Sequence, residues 1–284
     1  MIANMKKFDL IPNIVTAFGL SCGLFVIFKI NMLQPGAGDY EVVHTSVLLL
    51  LVAVLADFMD GALARAFHAE SEFGVVFDSL ADAISFGVAP SVLLLKTLSL
   101  EQGTVISFVA ASGAMVFSLC GVLRLVRFNV KAAEAKGNVE MQTVQKHHFT
   151  GLPITGSAAA AVSANLFLLS PWAQSWIPIS NIDRAIALTC VMFFLGYLMV
   201  CRLKFPSLKM LHFRINSFHM AFLTVIFAVF TLYGILYFFP IMLAFSSWIY
   251  IFIALILSII RFIAGKKSKT LEEFEPEPDD SDTI

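Results

Sequence analysis

Long apolar runs dominate this 284-residue sequence and leave few folds open to it. A helix needs roughly 20 consecutive apolar residues to cross about 30 Å of hydrocarbon. With 58% hydrophobic and only 14% charged side chains, the chain falls among polytopic membrane proteins rather than soluble domains. We therefore predict an all-α helical bundle in the membrane, with about eight transmembrane helices. The predicted helices cover residues 10–33, 42–66, 73–98, 102–126, 151–170, 185–203, 217–239 and 241–264.

Basic residues predict the orientation of this bundle. Sixteen of the nineteen Lys and Arg residues lie near alternate helix ends on one side of the predicted membrane, and the exceptions are Lys29, Lys96 and Arg184. Because cytoplasmic loops carry the excess of Lys and Arg, we expect both termini to be cytoplasmic. The loops expected on the same side lie near residues 67–72, 127–150 and 204–216.

The end of the chain differs in composition from the rest. Residues 271–284 contain seven of the twenty acids and no base, which leaves thirteen acids against nineteen bases elsewhere, a net charge of +6. A segment rich in Glu, Asp and Pro and poor in apolar residues cannot bury enough surface to fold. We predict that residues 265–284 form a disordered acidic tail on the cytoplasmic side.

Four aspartates interrupt the apolar pattern within ADFMDGALARAFHAESEFGVVFDSLADAISFGVAP, residues 56–90. A carboxylate in hydrocarbon costs about 3 kcal/mol on insertion scales, so such a residue is functional by default. Asp57 and Asp60 are spaced i, i+3, and Asp78 and Asp82 are spaced i, i+4, so each pair shares one face of its helix. The connection FHAESEF is short enough to make the two helices antiparallel neighbours. We expect the two acidic faces to meet in the cytoplasmic half of the bundle.

Carboxylates that converge in this way require a cation. Four negative charges in a low-dielectric space repel one another unless a positive charge balances them. Oxygen ligands favour Mg²⁺ or Mn²⁺ over zinc, and Mg²⁺ commonly binds through a few carboxylates together with substrate phosphates. Gly61 and Ala64 then leave room beside Asp60 for a phosphate or nucleoside, and Arg65 can pair with a phosphate oxygen. Helix packing and positive-inside anchoring are the ordinary explanations for the same three residues.

The acidic stretch resembles a known signature, that of the CDP-alcohol phosphotransferase family of integral membrane enzymes. The matching residues are Asp57-x-x-Asp60-Gly61-x-x-Ala64-Arg65, then eight residues, then Gly74-x-x-x-Asp78-x-x-x-Asp82. No defining position departs from the pattern. The resemblance implies the fold of that family, a helical bundle that forms a homodimer, with a polar cavity open to the cytoplasm that the lipid substrate enters laterally.

The resemblance also implies roles for these residues. Asp57, Asp60 and Asp78 would bind divalent metal, two ions of Mg²⁺ or Mn²⁺, on the pyrophosphate of the CDP-activated substrate. Asp82 would share in metal ligation or act as the catalytic base. The residues carried over to the nucleotide-binding and CDP-diacylglycerol-binding surface are Gly61, Ala64, Arg65 and Gly74.

Further segments are similar to one branch of the family, the bacterial enzymes that transfer a phosphatidyl group from CDP-diacylglycerol to the hydroxyl of L-serine and release CMP. These segments are IPNIVTAFGLSCG, FDSLADAISFGVAP, LRLVRFNV at 123–130 and FTGLPITGSAAA at 149–160. This likeness implies an enzyme of phospholipid biosynthesis in the inner membrane, with CDP-diacylglycerol, serine and membrane lipids as partners and no nucleic acid. Glycerol 3-phosphate, inositol phosphate or choline is the alternative acceptor, because the signature itself does not separate these alcohols.

Three polar residues near the end of the fourth predicted helix are candidates for binding the acceptor or a phosphate. Arg124 and Arg127 are spaced i, i+3, and Asn129 follows them. A cation at this position could hold the carboxylate of serine or the lipid phosphates. Positive-inside anchoring is an equally good explanation for either arginine taken alone.

The domain organisation follows from the extent of these matches. We expect residues 1–216 to form the catalytic membrane domain and residues 217–264 to add two C-terminal transmembrane helices before the tail. The catalytic domain opens with IPNIVT, where Pro12 suits a first helical turn and Asn13 and Thr16 place polar groups near the interface.

A cation or proton transporter is the alternative from another functional class, because intramembrane aspartates often mark ion paths. In a transporter the carboxylates should be distributed across the membrane, whereas here they cluster on two helices towards one face. In a membrane scaffold without enzymatic activity, four mutually repelling acids would destabilise the protein and serve no purpose.

Overall fold

The structure is a computed structural model that describes residues 10–34, 38–67, 71–101, 103–135, 148–176, 179–201, 204–206, 234 and 237–264. The α-helices are α1 (Leu10–Asn31), α2 (Tyr40–Ala66), α3 (Glu72–Asp82), α4 (Ala89–Thr97), α5 (Val105–Ala135), α6 (Ile154–Leu169), α7 (Pro171–Trp176), α8 (Asn181–Val200) and α9 (Phe239–Ala264). A one-turn π-helix, Ala83–Val88, joins α3 to α4. Two short strands, β1 (His148–Thr150) and β2 (Lys204–Pro206), complete the described elements.

Six helical segments within the described residues are long and apolar enough to cross a membrane. They are Leu10–Asn31, Tyr40–Ala66, Glu72–Thr97, Val105–Val130, Asn181–Val200 and Phe239–Ser258. Helix α6 is also apolar but has 16 residues, about 24 Å at 1.5 Å per residue. The predicted polytopic helical bundle is confirmed. The seventh predicted helix, residues 217–239, lies almost wholly outside the described residues, as do the proposed domain boundary at 216 and the acidic tail.

Two compact units make up the chain, and the first contains Met1–Asn129 and Ile154–Val200. In this unit α1 packs against α2, α3, the π-turn and α4, while α6 contacts α2, α4 and α8. Ten of the sixteen residues of α6 are buried. Small side chains on a membrane helix allow close approach of its neighbours, which explains why an alanine-rich and serine-rich helix lies inside the bundle.

Glycines bring α1 into close contact with the helices that carry the aspartates. A Cβ at Gly19 would lie 3.1 Å from the Cβ of Ala56 on α2. A Cβ at Gly23 would lie 2.4 Å from the Oγ and 2.8 Å from the Cα of Ser85 in the π-turn. Only glycine fits at position 23, because the clash would involve backbone as well as side chain.

The π-turn has a local cause in the sequence. Proline lacks a backbone N–H, so Pro90 cannot donate to the carbonyl of Phe86 four residues earlier, and a regular helical ladder is interrupted here. Polar side chains satisfy part of the opened backbone. Ser91 and Ser118 place their hydroxyls 2.8 and 3.1 Å from the carbonyl oxygen of Gly87, and 2.8 Å from each other. The π-turn is thereby tied to α5.

A buried arginine connects α8 to the end of α4. Helix α8 begins at Asn181 rather than at the predicted residue 185, so Arg184 lies within its first turn, 9% exposed. Its guanidinium donates to the backbone carbonyl of Thr97, whose hydroxyl accepts a hydrogen bond from Asn165 Nδ2 at 3.1 Å. Arg184 is therefore not a loop residue, and it satisfies a carbonyl at the C-terminal end of a helix.

The second compact unit contains Val130–Pro153 and Cys201–Ile284. Strands β1 and β2 pair antiparallel in this unit, with Phe149 opposite Phe205. Gly151 follows β1 with φ of 79°, a left-handed conformation that glycine adopts without strain. The all-α prediction omitted this ribbon, because its strands lie more than fifty residues apart in the sequence and neither is long enough to show a period.

Candidate active site

A cavity between α1, α2 and α3 brings the four predicted aspartates together. Its lining residues are Thr16, Gly19 and Leu20 of α1, Ala53, Asp57 and Asp60 of α2, Asp78, Ala81 and Asp82 of α3, and Ser85 and Phe86 of the π-turn. All of them belong to the first compact unit. The two acidic faces therefore meet, as their spacing predicted.

Three of the carboxylates form a tight group. Asp57, Asp60 and Asp78 each place one oxygen within 4.8 Å of the others. Asp60 is 4% exposed, and the other two are partly buried. Three oxygen ligands at this separation, in a low-dielectric setting that penalises uncompensated negative charge, fit a hard divalent cation. Asp82 lines the same cavity one helical turn beyond Asp78 and lies outside this group of three.

The start of α3 positions Asp78 by local hydrogen bonding. Ser71 is the N-cap, and its hydroxyl accepts from the backbone N–H of Gly74 at 3.0 Å. This cap begins the helix immediately after the short connection from α2, so Asp78 and Asp82 follow on one face within the first three turns. The connection between α2 and α3 has five residues, 67–71, and is as short as the sequence predicted.

Two polar residues of the cavity were not assigned to it from the sequence. Thr16 Oγ1 donates to Asp60 Oδ2 at 2.5 Å, from a different helix. The hydroxyl of Ser85 is buried, and no hydrogen-bond partner for it is present in the described part of the chain. Ser85 follows Asp82 by three residues, so it continues the stripe formed by Gly74, Asp78 and Asp82, and this spacing could have identified it.

The four residues carried over to the nucleotide-binding surface lie between the aspartates and the α2–α3 connection, three on α2 and one on α3. A Cβ at Gly61 would meet only the guanidinium of Arg65, with its nearest nitrogen at 3.5 Å, so this part of α2 is open. Ala64 is partly buried, and Arg65 is exposed one turn beyond Gly61. Gly74 lies in the first turn of α3, where a Cβ would be 3.1 Å from Asn13 Oδ1 on α1.

The candidate acceptor residues occupy three different environments. Helix α5 continues to Ala135, so Arg124, Arg127 and Asn129 all lie within the helix rather than at its end. Arg124 is close enough to Asp82 for their charges to interact. Arg127 donates to the backbone carbonyl of Val200 at 3.0 Å, and Asn129 Nδ2 donates to Ser79 Oγ at 2.8 Å. Of the three, Arg124 is the one whose charge acts on a cavity aspartate.

Comparison with known proteins places this geometry in a family. Residues 9–260 match the CDP-alcohol phosphatidyltransferase family. The matched range includes every residue that lines the cavity. The chain belongs to the CDP-alcohol phosphatidyltransferase family. It is therefore a multi-pass membrane enzyme of phospholipid biosynthesis, with an acidic cluster that could hold a metal ion.

Relatives of this phosphatidyltransferase are 30–32% identical to it over the parts of the chain that they match. A protein of Bacillus subtilis is 32% identical over 199 residues, which cover 70% of this chain and 91% of the relative. A protein of Helicobacter pylori is 31% identical over 209 residues, covering 74% of this chain and 77% of the relative. One of Methanocaldococcus jannaschii is 30% identical over 178 residues, covering 63% and 72%. Each is named CDP-diacylglycerol--serine O-phosphatidyltransferase.

Proposed function

We propose that this phosphatidyltransferase transfers the phosphatidyl group of CDP-diacylglycerol to the hydroxyl of L-serine and releases CMP. The observation that carries the proposal is the group of three carboxylates within 4.8 Å beside a fourth, in a membrane helix bundle of this family. The names of the relatives supply the acceptor alcohol. Another acceptor remains the alternative, since nothing in the acidic group distinguishes serine from a different small alcohol.

Asp57, Asp60 and Asp78 are the residues that would hold divalent metal, two ions of Mg²⁺ or Mn²⁺, and Asp82, the fourth carboxylate, would share in ligation or act as the catalytic base. Oxygen ligands and the separation of the three carboxylates support this assignment. When bound, the metal supplies positive charge to the pyrophosphate and to the departing CMP. The open backbone at Gly61, with Ala64, Arg65 and Gly74 on adjoining turns, forms the surface for the nucleotide.

Asp82 is the proposed general base. A hydroxyl is a weak nucleophile near neutral pH, and a positioned carboxylate that accepts its proton in the transition state makes attack faster. The serine oxygen forms a bond to the phosphorus that bears diacylglycerol, the bond from that phosphorus to the CMP oxygen breaks, and the proton passes to Asp82. The position of Asp82 beyond the three-carboxylate group supports a role in proton transfer.

Arg124 is the residue of α5 that we propose to act at the acceptor side of the site. The charge that it exerts on Asp82 supports this role, since a cation beside the cavity could bind the carboxylate of serine or a lipid phosphate. Arg127 and Asn129 belong to the same proposed region, and their contacts with Val200 and Ser79 support an additional role in holding α5 beside α8 and α3.

The proposal includes a location and an assembly. The distribution of basic residues supports a site and termini on the cytoplasmic side of the inner membrane. The proposed assembly is a homodimer. Each chain would have a catalytic domain over residues 1–216, two further helices over 217–264 and an acidic tail over 265–284.

The decisive experiment offers acceptors one at a time. The purified protein in detergent receives CDP-diacylglycerol and Mn²⁺ or Mg²⁺, with L-serine, glycerol 3-phosphate, inositol phosphate or choline, and CMP release is measured. We expect serine-dependent CMP release and a lipid product that carries serine. CMP release with a different alcohol and none with serine would refute the acceptor but keep the reaction class, and no release with any of them would refute both.

A further inference from the structure

Asp60 differs from the other cavity aspartates in having an observed side-chain hydrogen bond to α1. The Thr16 hydroxyl donates to Asp60 Oδ2 at 2.5 Å across 44 residues of sequence. Thr16 is 6% exposed and Asp60 is 4% exposed, so this contact is largely shielded from bulk water. The Thr16 oxygen also lies 3.1 Å from the carbonyl oxygen of Pro12. A hydroxyl has one proton, and the charged carboxylate is the stronger acceptor.

The backbone around Thr16 holds it in place. Gly19, one turn later, brings α1 against α2, since a Cβ there would lie 3.1 Å from Ala56 Cβ and 3.5 Å from the carbonyl oxygen of Ala53. Threonine is branched at Cβ, which restricts χ1 in a helix to few rotamers. The direction of the hydroxyl is therefore set by the packing of two helices rather than by the side chain alone.

We propose that Thr16 is a positioning residue for the metal site, and this inference rests on the function proposed above. Its hydroxyl donates to Oδ2 of Asp60, which leaves the other carboxylate oxygen available to a metal ion shared with Asp57 and Asp78. Groups that hydrogen-bond to a metal ligand fix its orientation, and their loss typically costs about 10–100-fold in metal affinity. Thr16 thus makes α1 a contributor to a site whose carboxylates all come from α2 and α3.

The test compares four substitutions by titrating the purified protein with Mn²⁺ and measuring free Mn²⁺ by electron paramagnetic resonance, without substrate. Thr16→Val removes the hydroxyl and keeps the shape, and Thr16→Ser keeps the hydroxyl. Thr189→Val is the matched control. Thr189 is 7% exposed in α8, and the hydrogen bond described for its hydroxyl goes to the backbone carbonyl of Ala185 four residues earlier, as that of Thr16 goes to Pro12. Asp57→Asn reports on the metal site itself.

We expect the dissociation constant for Mn²⁺ to rise about 10–100-fold in Thr16→Val and to stay near the wild-type value in Thr16→Ser and Thr189→Val. In turnover assays the Mn²⁺ concentration for half-maximal rate should rise by a similar factor, while saturating Mn²⁺ restores kcat. A merely structural role would instead lower kcat at every Mn²⁺ concentration.

Two results would overturn the inference, and they differ in meaning. If wild type binds Mn²⁺, Asp57→Asn does not, and Thr16→Val matches wild type, Thr16 has no positioning role and the proposed function stands. If wild type binds Mn²⁺ no better than Asp57→Asn does, the metal site is wrong, and the role of Thr16 is wrong with it. Should Thr16→Val fail to fold, Thr16→Ala against Thr16→Ser gives the same comparison.

Discussion

Individual carboxylates of the cavity have different surroundings, and this separates their chemistry. Asp60 is buried and hydrogen-bonded to Thr16, and it forms a close group with Asp57 and Asp78. Asp82 lies outside that group and interacts with the charge of Arg124. Groups held close together suit a shared cation, whereas a carboxylate that lines the same cavity outside that group suits proton transfer.

Asparagine substitutions should therefore separate metal binding from proton transfer. We expect Asp82→Asn to lower turnover by about 10²–10⁴-fold, the usual contribution of a general base, and to change Mn²⁺ affinity little. Asp57→Asn should lose both Mn²⁺ binding and CMP release. Glu41→Gln is the control, because Glu41 is exposed at the start of the same helix α2.

The outcome for Asp82 distinguishes its two proposed roles. Loss of Mn²⁺ binding in Asp82→Asn would make it a ligand, and full turnover in that variant would remove it from the mechanism. Equal behaviour of Asp57→Asn and wild type in both assays would contradict the acidic group as a metal site.

Among the elements, the π-turn has the strictest packing requirement. It follows Asp82 directly, it lies against Gly23 of α1, and its carbonyl at Gly87 meets hydroxyls from α4 and α5. π-helical turns often occur at functional sites, because the extra residue redirects the side chains around it. Here the turn brings Ser85 to the cavity and places α1 against the acidic helix.

Gly23→Ala should destabilise the protein by about 1–3 kcal/mol, since the added methyl overlaps the backbone of Ser85 and no side-chain rotation relieves the clash. Thermal unfolding in detergent measures this, and CMP release should fall as α1 moves away from the cavity. Gly196→Ala is the matched control, because its nearest neighbours would lie at an ordinary 3.6 Å. Equal melting temperatures for the two variants would show that α1 does not pack tightly on the π-turn.

At the scale of the whole molecule, the position of the site and the predicted orientation are consistent. The acidic cavity lies towards the end of the first compact unit where α2 ends and α3 begins. The positive-inside rule predicts that this end faces the cytoplasm. In the proposed topology a nucleotide and a water-soluble alcohol would reach the site from the cytoplasm and a lipid from the bilayer, which would account for aspartates confined to one face of the membrane.

Cysteine labelling tests this orientation. In a background without the four native cysteines, Phe67→Cys, in the α2–α3 connection, should resist a membrane-impermeant maleimide added to intact spheroplasts. Glu101→Cys, which is exposed at the opposite end of the bundle, should react. Both should react after permeabilisation, which controls for accessibility. The reverse pattern in intact spheroplasts would invert the proposed topology.

Much of this protein follows from patterns that are local in the sequence. Apolar runs of about 20 residues predicted the membrane helices, because helix length must match the hydrocarbon thickness. The i, i+3 and i, i+4 spacings predicted the two acidic faces, and the short connection between α2 and α3 made them neighbours. Helix ends were less accurate, as the start of α8 shows, because Arg184 looked like a loop residue until its buried partner was known.

Contacts between distant residues depend on which helices pack together, and no local period encodes them. The bond from Thr16 to Asp60, the support of Gly87 by Ser118 and the reach of Arg184 to Thr97 are of this kind. In each case the side chain and its partner come from different helices. Such bonds form only where helices approach closely, as α1 does where Gly23 meets Ser85. Sequence periodicity placed the carboxylates on their helices, and the packing of α1 against those helices set the orientation of Asp60.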